Sequence, residues 1–368
     1  MIYFLVNNNY HVNLDMKLAK ELVNYKLGLI QVPYSLDVIK ESDFFSDIYI
    51  YEERLITSFK NIFCKPKKIK NIFQRVDNTL FINNSDILFV HTDMDILNQY
   101  IIQKFYQCGA RVYLLEDGIA TITQFNMKED RAEWKDNLRC LLLKYIYKLK
   151  YLKIIKYGVL NQAVMEDFIF NGVIVNHGDT IKRKIPLFKL ISDQKQITVV
   201  HENGAIFFNQ PLYLFYLSED KFINYLEDFL ATSYNFSPFY FKFHPSDTES
   251  FKSSISELIK CKFENIKVIL ENDIAEEIVF KYPVRYAITI SSTAAFNLMN
   301  SGIVPIYLNE MLNNRHPDEA FNAFSKFLES INCYVPKKLE EIKPGFVAFA
   351  KKNKSVDAVS LTDIIKLK

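Results

Sequence analysis

Phe239-Tyr240-Phe241-Lys242-Phe243-His244-Pro245-Ser246-Asp247 is the stretch from which the architecture can be worked out. Phe239 to Phe243 are residue types that suit a buried strand. Pro245 has no amide hydrogen to give to a sheet ladder, so the strand must end before it. Ser246 and Asp247 are helix N-cap types, and a helical pattern follows from about Glu249. His244 therefore stands at the carboxyl end of a strand, just ahead of a helix. In open α/β sheets that edge is where ligands bind.

The same strand, turn and helix order recurs along the chain. Before the stretch, strands are expected at Ile2 to Val6, Leu29 to Val32, Asp47 to Tyr51, Asp86 to Val90 and Arg111 to Leu115. Helices are expected over Leu14 to Tyr25 and Leu97 to Cys108, ended by Gly28 and Gly109. Lys182 to Lys195, basic and polar around Pro186, is the natural hinge, and it divides the chain into domains 1–190 and 191–368. The second half begins with strands Ile197 to Val200 and Ile206 to Phe208 and continues the alternation to Val304 to Leu308. Such alternation predicts parallel sheets with covering helices. Two such halves describe an α/β fold of the GT-B type, two Rossmann-like domains facing each other across a cleft. The dinucleotide fingerprint GxGxxG is absent, which disfavours a dehydrogenase.

Composition narrows the class. The 368 residues are 49% hydrophobic and 24% charged, ordinary for a globular protein of about two domains. A net charge of +2 argues against a surface built for nucleic acid. The five cysteines are odd in number and form no CxxC, which disfavours a disulfide framework or structural zinc and fits a reducing compartment. Met1 to Val6 lacks the basic start of a signal peptide and reads as a strand. No run of about 18 apolar residues exists to span a membrane. Leu138 to Lys156 holds six basic residues and no acidic one among Leu, Ile and Tyr. It reads equally as a helix on an anionic membrane surface or as a surface helix between domains.

Three segments could carry chemistry. In Leu114-Leu115-Glu116-Asp117-Gly118 an apolar strand ends in two carboxylates and a glycine. Alternation puts the two acids on opposite faces, so one can face a ligand as a general base. In Lys242-x-His244-Pro245 the period of two puts cation and imidazole on one face, an arrangement suited to a phosphate. His316-Pro317, in a polar loop with no strand before it, is read as a turn. In Ile290-Ser291-Ser292-Thr293-Ala294-Ala295 a strand runs into hydroxyls and a small-residue helix. That can be a phosphate site or an ordinary N-cap. Asp93-Met94-Asp95 is the only Asp-x-Asp, and it reads as a helix cap rather than a metal motif.

These three motifs, in this order, resemble those of bacterial sialyltransferases, and most nearly the lipooligosaccharide sialyltransferases of glycosyltransferase family 52. Phe208-Asn209-Gln210-Pro211-Leu212 is similar to that family's T-Q-P-L strand end, and Ile274-Ala275-Glu276-Glu277 to its I-P-F-E segment, without the proline. The resemblance covers Ile197 to Leu308 and the Glu116 region. It implies an inverting transfer of sialic acid from CMP-sialic acid to a sugar hydroxyl, galactose by preference, of a lipooligosaccharide, O-antigen or capsule glycan. It implies Asp117 as base, with Asp220, after Gln210-Pro211-Leu212, as a second candidate. It implies His244 as a catalytic residue that contacts or protonates the CMP phosphate, with Lys242, Pro245, Ser291, Ser292 and Thr293 around it, and Glu277 on the ribose. Glu116 and Gly118 would flank the base. The implied enzyme needs no metal or other cofactor, binds no nucleic acid, and works in the cytoplasm at the inner membrane; a homodimer is compatible with the sequence. The competing readings are a Kdo, other nonulosonic acid or glycerophosphate transferase, a non-hydrolysing nucleotide-sugar epimerase, and a non-catalytic binding module.

Overall fold

A computed structural model describes residues 1–35, 39–51, 66–93, 95–116, 134–148, 150–151, 165–175, 185–190, 197–214, 216–271, 273–315, 319–330, 333–345 and 358–367. The chain divides into two compact units, Met1–Ser192 with Lys354–Lys368, and Asp193–Asn353. The first boundary falls two residues from the expected 190. The second differs from the expected 191–368, because the C-terminal segment returns to the first unit. Its short strand pairs there through two residues, too few to leave a pattern in the sequence.

In the first unit the order is β1 (Ile2–Asn8), α1 (Asn9–Glu21), β2 (Leu27–Ser35), β3 (Asp47–Ile50), α2 (Pro66–Thr79), β4 (Ile87–Val90), α3 (Ile96–Gln107), β5 (Arg111–Leu115), α4 (Trp134–Tyr147), β6 (Gly172–Val175) and β7 (Leu187–Leu190). The second unit runs β8 (His201–Phe208), α5 (Glu219–Leu230), β9 (Phe239–Lys242), α6 (Glu249–Lys262), β10 (Ile266–Ile269), α7 (Ala275–Lys281), β11 (Val284–Thr289), α8 (Thr293–Asn297), β12 (Val304–Tyr307), α9 (Asn309–Arg315) and α10 (Glu319–Ser330). β13 (Ala358–Val359) and α11 (Leu361–Lys366) complete the first unit.

Among the described residues the first sheet has eight strands in the order β13-β7-β6-β5-β4-β1-β2-β3, and the second has five in the order β10-β9-β8-β11-β12. Every pairing in both is parallel. Parallel strands are covered on both faces, and β1 shows it. Tyr3 and Leu5 pack into one core while Ile2, Phe4 and Val6 pack into another on the opposite face. In β9 the alternation sends Phe239 and Phe241, followed by Phe243, into the core of the second unit. Each such side chain contributes roughly 1.5–3 kcal/mol by its burial.

Gly28 lies inside β2, opposite Tyr3, rather than ending α1. A Cβ there would come within 2.7 Å of the Tyr3 ring, so the small residue makes room for an aromatic neighbour. Of the strands expected at 197–200 and 206–208, the first is not a strand, and the second belongs to a longer one, β8, which starts at His201 and runs through Asn203 and Gly204.

Both sheets reverse their winding once. In the second unit the chain lays β9 and β10 on one side of β8, then returns to lay β11 and β12 on the other. In the first unit β2 and β3 lie on one side of β1 and β4 on the other. The switch points are therefore β8/β11 and β1/β4, and in open α/β sheets ligands bind outside the carboxyl ends at such points.

Candidate functional site

The register brings three strand ends of the second unit level. Phe208 pairs with Lys242 on one side and with Thr289 on the other. The Thr289 hydroxyl donates to the Phe208 carbonyl at 3.1 Å, and Asn209 N–H to the Lys242 carbonyl at 2.9 Å. Asn209 and Gln210, the two residues after β8, then tie the neighbouring loops together. Gln210 Oε1 accepts from the amide of Ser291 at 2.6 Å and from its hydroxyl at 3.0 Å. On the other side Asn209 Nδ2 donates to Asp247 Oδ2 at 2.8 Å.

The loop after β9 is a closed turn. His244 N–H donates to Asp247 Oδ2 at 2.8 Å, and Asp247 N–H returns to the His244 carbonyl at 2.9 Å. Ser246 N–H donates to His244 Nδ1 at 3.1 Å. Pro245 and Ser246 are exposed, His244 is half-buried and Asp247 is buried. Helix α6 begins at Glu249, as expected, but its cap is Thr248 rather than Ser246 or Asp247, accepting from Phe251 N–H at 3.2 Å.

Lys242 is buried and donates to the Phe243 carbonyl at 2.9 Å. Burial pulls its ammonium below the usual lysine range, with Asp273, Asp247 and Glu271 acting the other way. Burial and then the Lys242 charge bring His244 down to about 4, so the imidazole is neutral at pH near 7. Burial raises the Asp247 carboxyl, opposed by the Asn209 amide and the His244 N–H. The strand end thus holds one buried cation and one neutral ring nitrogen donor. That pair suits an anionic oxygen by charge and by hydrogen bonding.

The hydroxyl run is more committed than its sequence suggests. Ser292 caps α8, accepting from Ala294 N–H at 3.2 Å, and the Ser291 amide and hydroxyl both go to Gln210. Thr293 is half-buried at the first position of α8. Glu277 is exposed in the first turn of α7, and its neighbour Glu276 accepts from Asn297 Nδ2 of α8 at 3.1 Å. Asp220 is exposed in the first turn of α5, following the loop from β8. Glu116 is buried immediately after β5, its N–H given to the Ile174 carbonyl at 2.9 Å. Asp117 and Gly118, like His316 and Pro317, lie outside the described residues. Asp95 is a helix cap, accepting from Leu97 N–H at 2.7 Å, as its sequence suggests.

A second polar group, not anticipated from the sequence, occupies the β1/β4 switch point. His91 Nε2 lies 2.9 Å from Asp15 Oδ1, with both side chains fully buried. The His91 ring stacks on His11, centroids 4.2 Å apart and 12° from parallel. Asn7 N–H donates to His11 Nδ1 at 3.2 Å, and Asn98 Nδ2 donates to Asn7 Oδ1 at 2.9 Å. Burial raises the Asp15 carboxyl, opposed first by His91. Nothing local in the sequence announces a pairing across 76 residues. It joins Asp15 on α1, the helix after β1, to His91 just after β4, and is legible only once β1 and β4 are known to be neighbours. Among the described residues no three His, Cys, Asp or Glu side chains converge as a metal-binding group.

No family model matches this chain, and no curated protein sequence matches it. Solved structures do. TcCGT1 in complex with UDP is 11% identical with a TM-score of 0.51, over 95% of this chain and 87% of that one. MurG of Acinetobacter baumannii is 10% identical with a TM-score of 0.47, over 91% and 85%. UDP-GlcNAc 2-epimerase from Methanocaldococcus jannaschii is 10% identical with a TM-score of 0.44, over 89% and 91%. The likeness to TcCGT1 shows the fold: the chain has the two-domain α/β architecture of the GT-B type.

Proposed function

We propose that this chain is a glycosyltransferase that uses a nucleotide-activated sugar, and that the level ends of β8, β9 and β11 hold the donor's phosphate. The observation that carries this reading is the pairing of buried Lys242 with the neutral ring of His244 at the strand end, beside the β8/β11 switch point. A cation held in low dielectric stabilises negative charge more than one in water does. Departure of a nucleotide leaves such charge on its phosphate. The motif resemblance supports the finer reading that the donor is CMP-sialic acid and the acceptor a sugar hydroxyl of a bacterial surface glycan. In that reaction the acceptor oxygen bonds to the anomeric carbon from the face opposite the nucleotide. The carbon–oxygen bond to phosphate breaks, CMP leaves with the electron pair, and the hydroxyl proton passes to a carboxylate. Asp117 and Asp220 remain the candidates for that base, and the reaction is expected to run without metal.

Contact with an anionic membrane surface belongs to the same reading. Leu141 is 64% and Tyr145 86% exposed on α4, and Lys144, Lys148 and Lys150 are exposed around them. An apolar row with basic flanks suits an acidic bilayer face. Among the described residues no helix is long and apolar enough to cross a membrane.

The test is incubation with CMP-Neu5Ac, CMP-Kdo and UDP-sugars, with and without a galactoside panel, measuring nucleotide release and product. Acceptor-dependent CMP release is expected. A new sugar nucleotide formed without acceptor would point to an epimerase, and no turnover of any donor would sink the transferase reading.

A further inference from the structure

We propose that Asp247 is a positioning residue that locks His244 as its Nε2–H tautomer, so that His244 meets a ligand oxygen as a neutral hydrogen-bond donor and exchanges no proton with it. This deepens the donor-site reading above and rests on it for the identity of the ligand, though the tautomer itself does not.

The turn geometry makes the argument. Asp247 closes His244 to Asp247 from both ends, through its Oδ2 and its own N–H. Ser246 is held between them, and its N–H is thereby aimed at His244 Nδ1 at 3.1 Å. Nδ1 must present a lone pair to that donor. A neutral imidazole carries its one hydrogen on the other nitrogen, Nε2. A second proton would have to enter at Nδ1, against an N–H that already points there, and would break the bond.

The charges around the ring act in the same direction. Lys242 on β9 is the charged neighbour that opposes a cationic ring, with burial the larger cause. Lys252 on α6, and Glu271 and Asp273 ahead of α7, act on Lys242, and Lys252 also on Asp247. The Asp247 carboxylate spends its Oδ2 on the backbone of His244 and on Asn209, not on the ring. The buried Asp247 carboxyl also draws on the Tyr213 hydroxyl, while Asn209 Oδ1 is buried with no hydrogen-bond partner among the described residues. An acid kept in place at that cost needs a reason, and the fixed turn supplies one. The ligand class that follows is an oxygen acceptor that is already ionised, such as a phosphate ester, which needs a donor and not an acid.

The experiment is 15N NMR of the full chain labelled at histidine. His244 is expected as the pure Nε2–H tautomer from about pH 5 to about pH 8. Asp247→Ala should release Nδ1, giving mixed tautomers. Asp247→Asn, whose amide oxygen can still accept the His244 N–H, should restore the wild-type signature; a role in stability alone would move neither. Nδ1–H or mixed tautomers in the wild type overturn the proposal, and that result needs no variant to fold. In a second arm, CMP and UMP are titrated calorimetrically in two buffers of different ionisation heat. Equal heats are expected, and uptake of about one proton per nucleotide overturns the proposal. If neither nucleotide binds, the donor-site reading fails while the tautomer measurement still decides the lock.

Discussion

The β1/β4 and β8/β11 switch points share a topology and differ in what they do with polar groups. At β1/β4 the polar side chains face one another. Asp15, His91, His11, Asn7 and Asn98 are all buried, and the charges available there are paired within the cluster. At β8/β11 the uncharged amides of Asn209 and Gln210 tie the loops, and the charge sits one strand away on Lys242. Ser291, Gln210 and His244 are half-buried. The first arrangement spends its polar groups on holding loops inside the fold. The second leaves a cation and a ring donor at a strand end. Equal topology thus fixes where polar groups can gather, and the chemistry of the strand-end residues decides whether they pair with one another or leave a charge at a strand end.

The largest way to break this contrast is His91→Ala. It leaves the fully buried Asp15 carboxylate without its partner, and losing one member of such a pair typically costs ~3–5 kcal/mol. Denaturant unfolding should show that loss, with nucleotide binding by the folded fraction unchanged. A loss under about 1 kcal/mol would mean that the pair braces nothing.

Acid tests the other switch point. The folded pKa of His244 is about 4, below the ordinary value of about 6.5. Between those values the unfolded chain takes a proton that the folded chain refuses. Stability is therefore unaffected above about 6.5, falls as the pH drops towards 4, and falls no further below it. The full effect is roughly 3 kcal/mol, and His244→Gln should flatten that portion of a stability–pH curve. A wild-type curve that is flat across this window would show that the ring is not held neutral.

Much of the second site could be read from residue order. Pro245 fixes the end of β9, and the period of two places Lys242 and His244 together, so the strand end and the pair of side chains at it follow from a few residues. The partners of Ser291 and Asp247 could not be read this way. Gln210 reaches Ser291 across 81 residues, and Asn209 reaches Asp247 across 38. Those bonds depend on β8 lying between β9 and β11, and strand order is a tertiary fact. The Asp15–His91 pair was hidden for the same reason. The run Ser291-Ser292-Thr293 reads as free hydroxyls only while Gln210 and the α8 cap are out of view. The return of β13 to the first unit was illegible because two paired residues carry no periodicity.

Lys242→Met should separate stability from function within the second site. The buried ammonium is held below its usual pKa by burial, so an apolar chain of similar length relieves that cost. Unfolding free energy is expected to stay level or rise by about 1 kcal/mol, while affinity for CMP or UMP falls at least about tenfold. Loss of stability together with unchanged nucleotide affinity would make Lys242 a structural residue and remove the charge from the proposed site.

The smallest effect concerns how the strand ends are tied. Ser291→Ala removes one hydrogen bond to Gln210 Oε1 and keeps the stronger one from the Ser291 amide, so it should cost only about 0.5–1.5 kcal/mol. Gln210→Ala removes both and leaves the Ser291 amide without its acceptor, so its cost should be larger, about 1–3 kcal/mol. If Gln210 acts only as this tie, the double variant should cost no more than Gln210→Ala alone, because the Ser291 hydroxyl has then already lost the partner it had. A double-mutant cycle reads that difference directly. Additive losses would mean that the Ser291 hydroxyl does something besides meeting Gln210, and a phosphate oxygen would then be the first candidate for its partner.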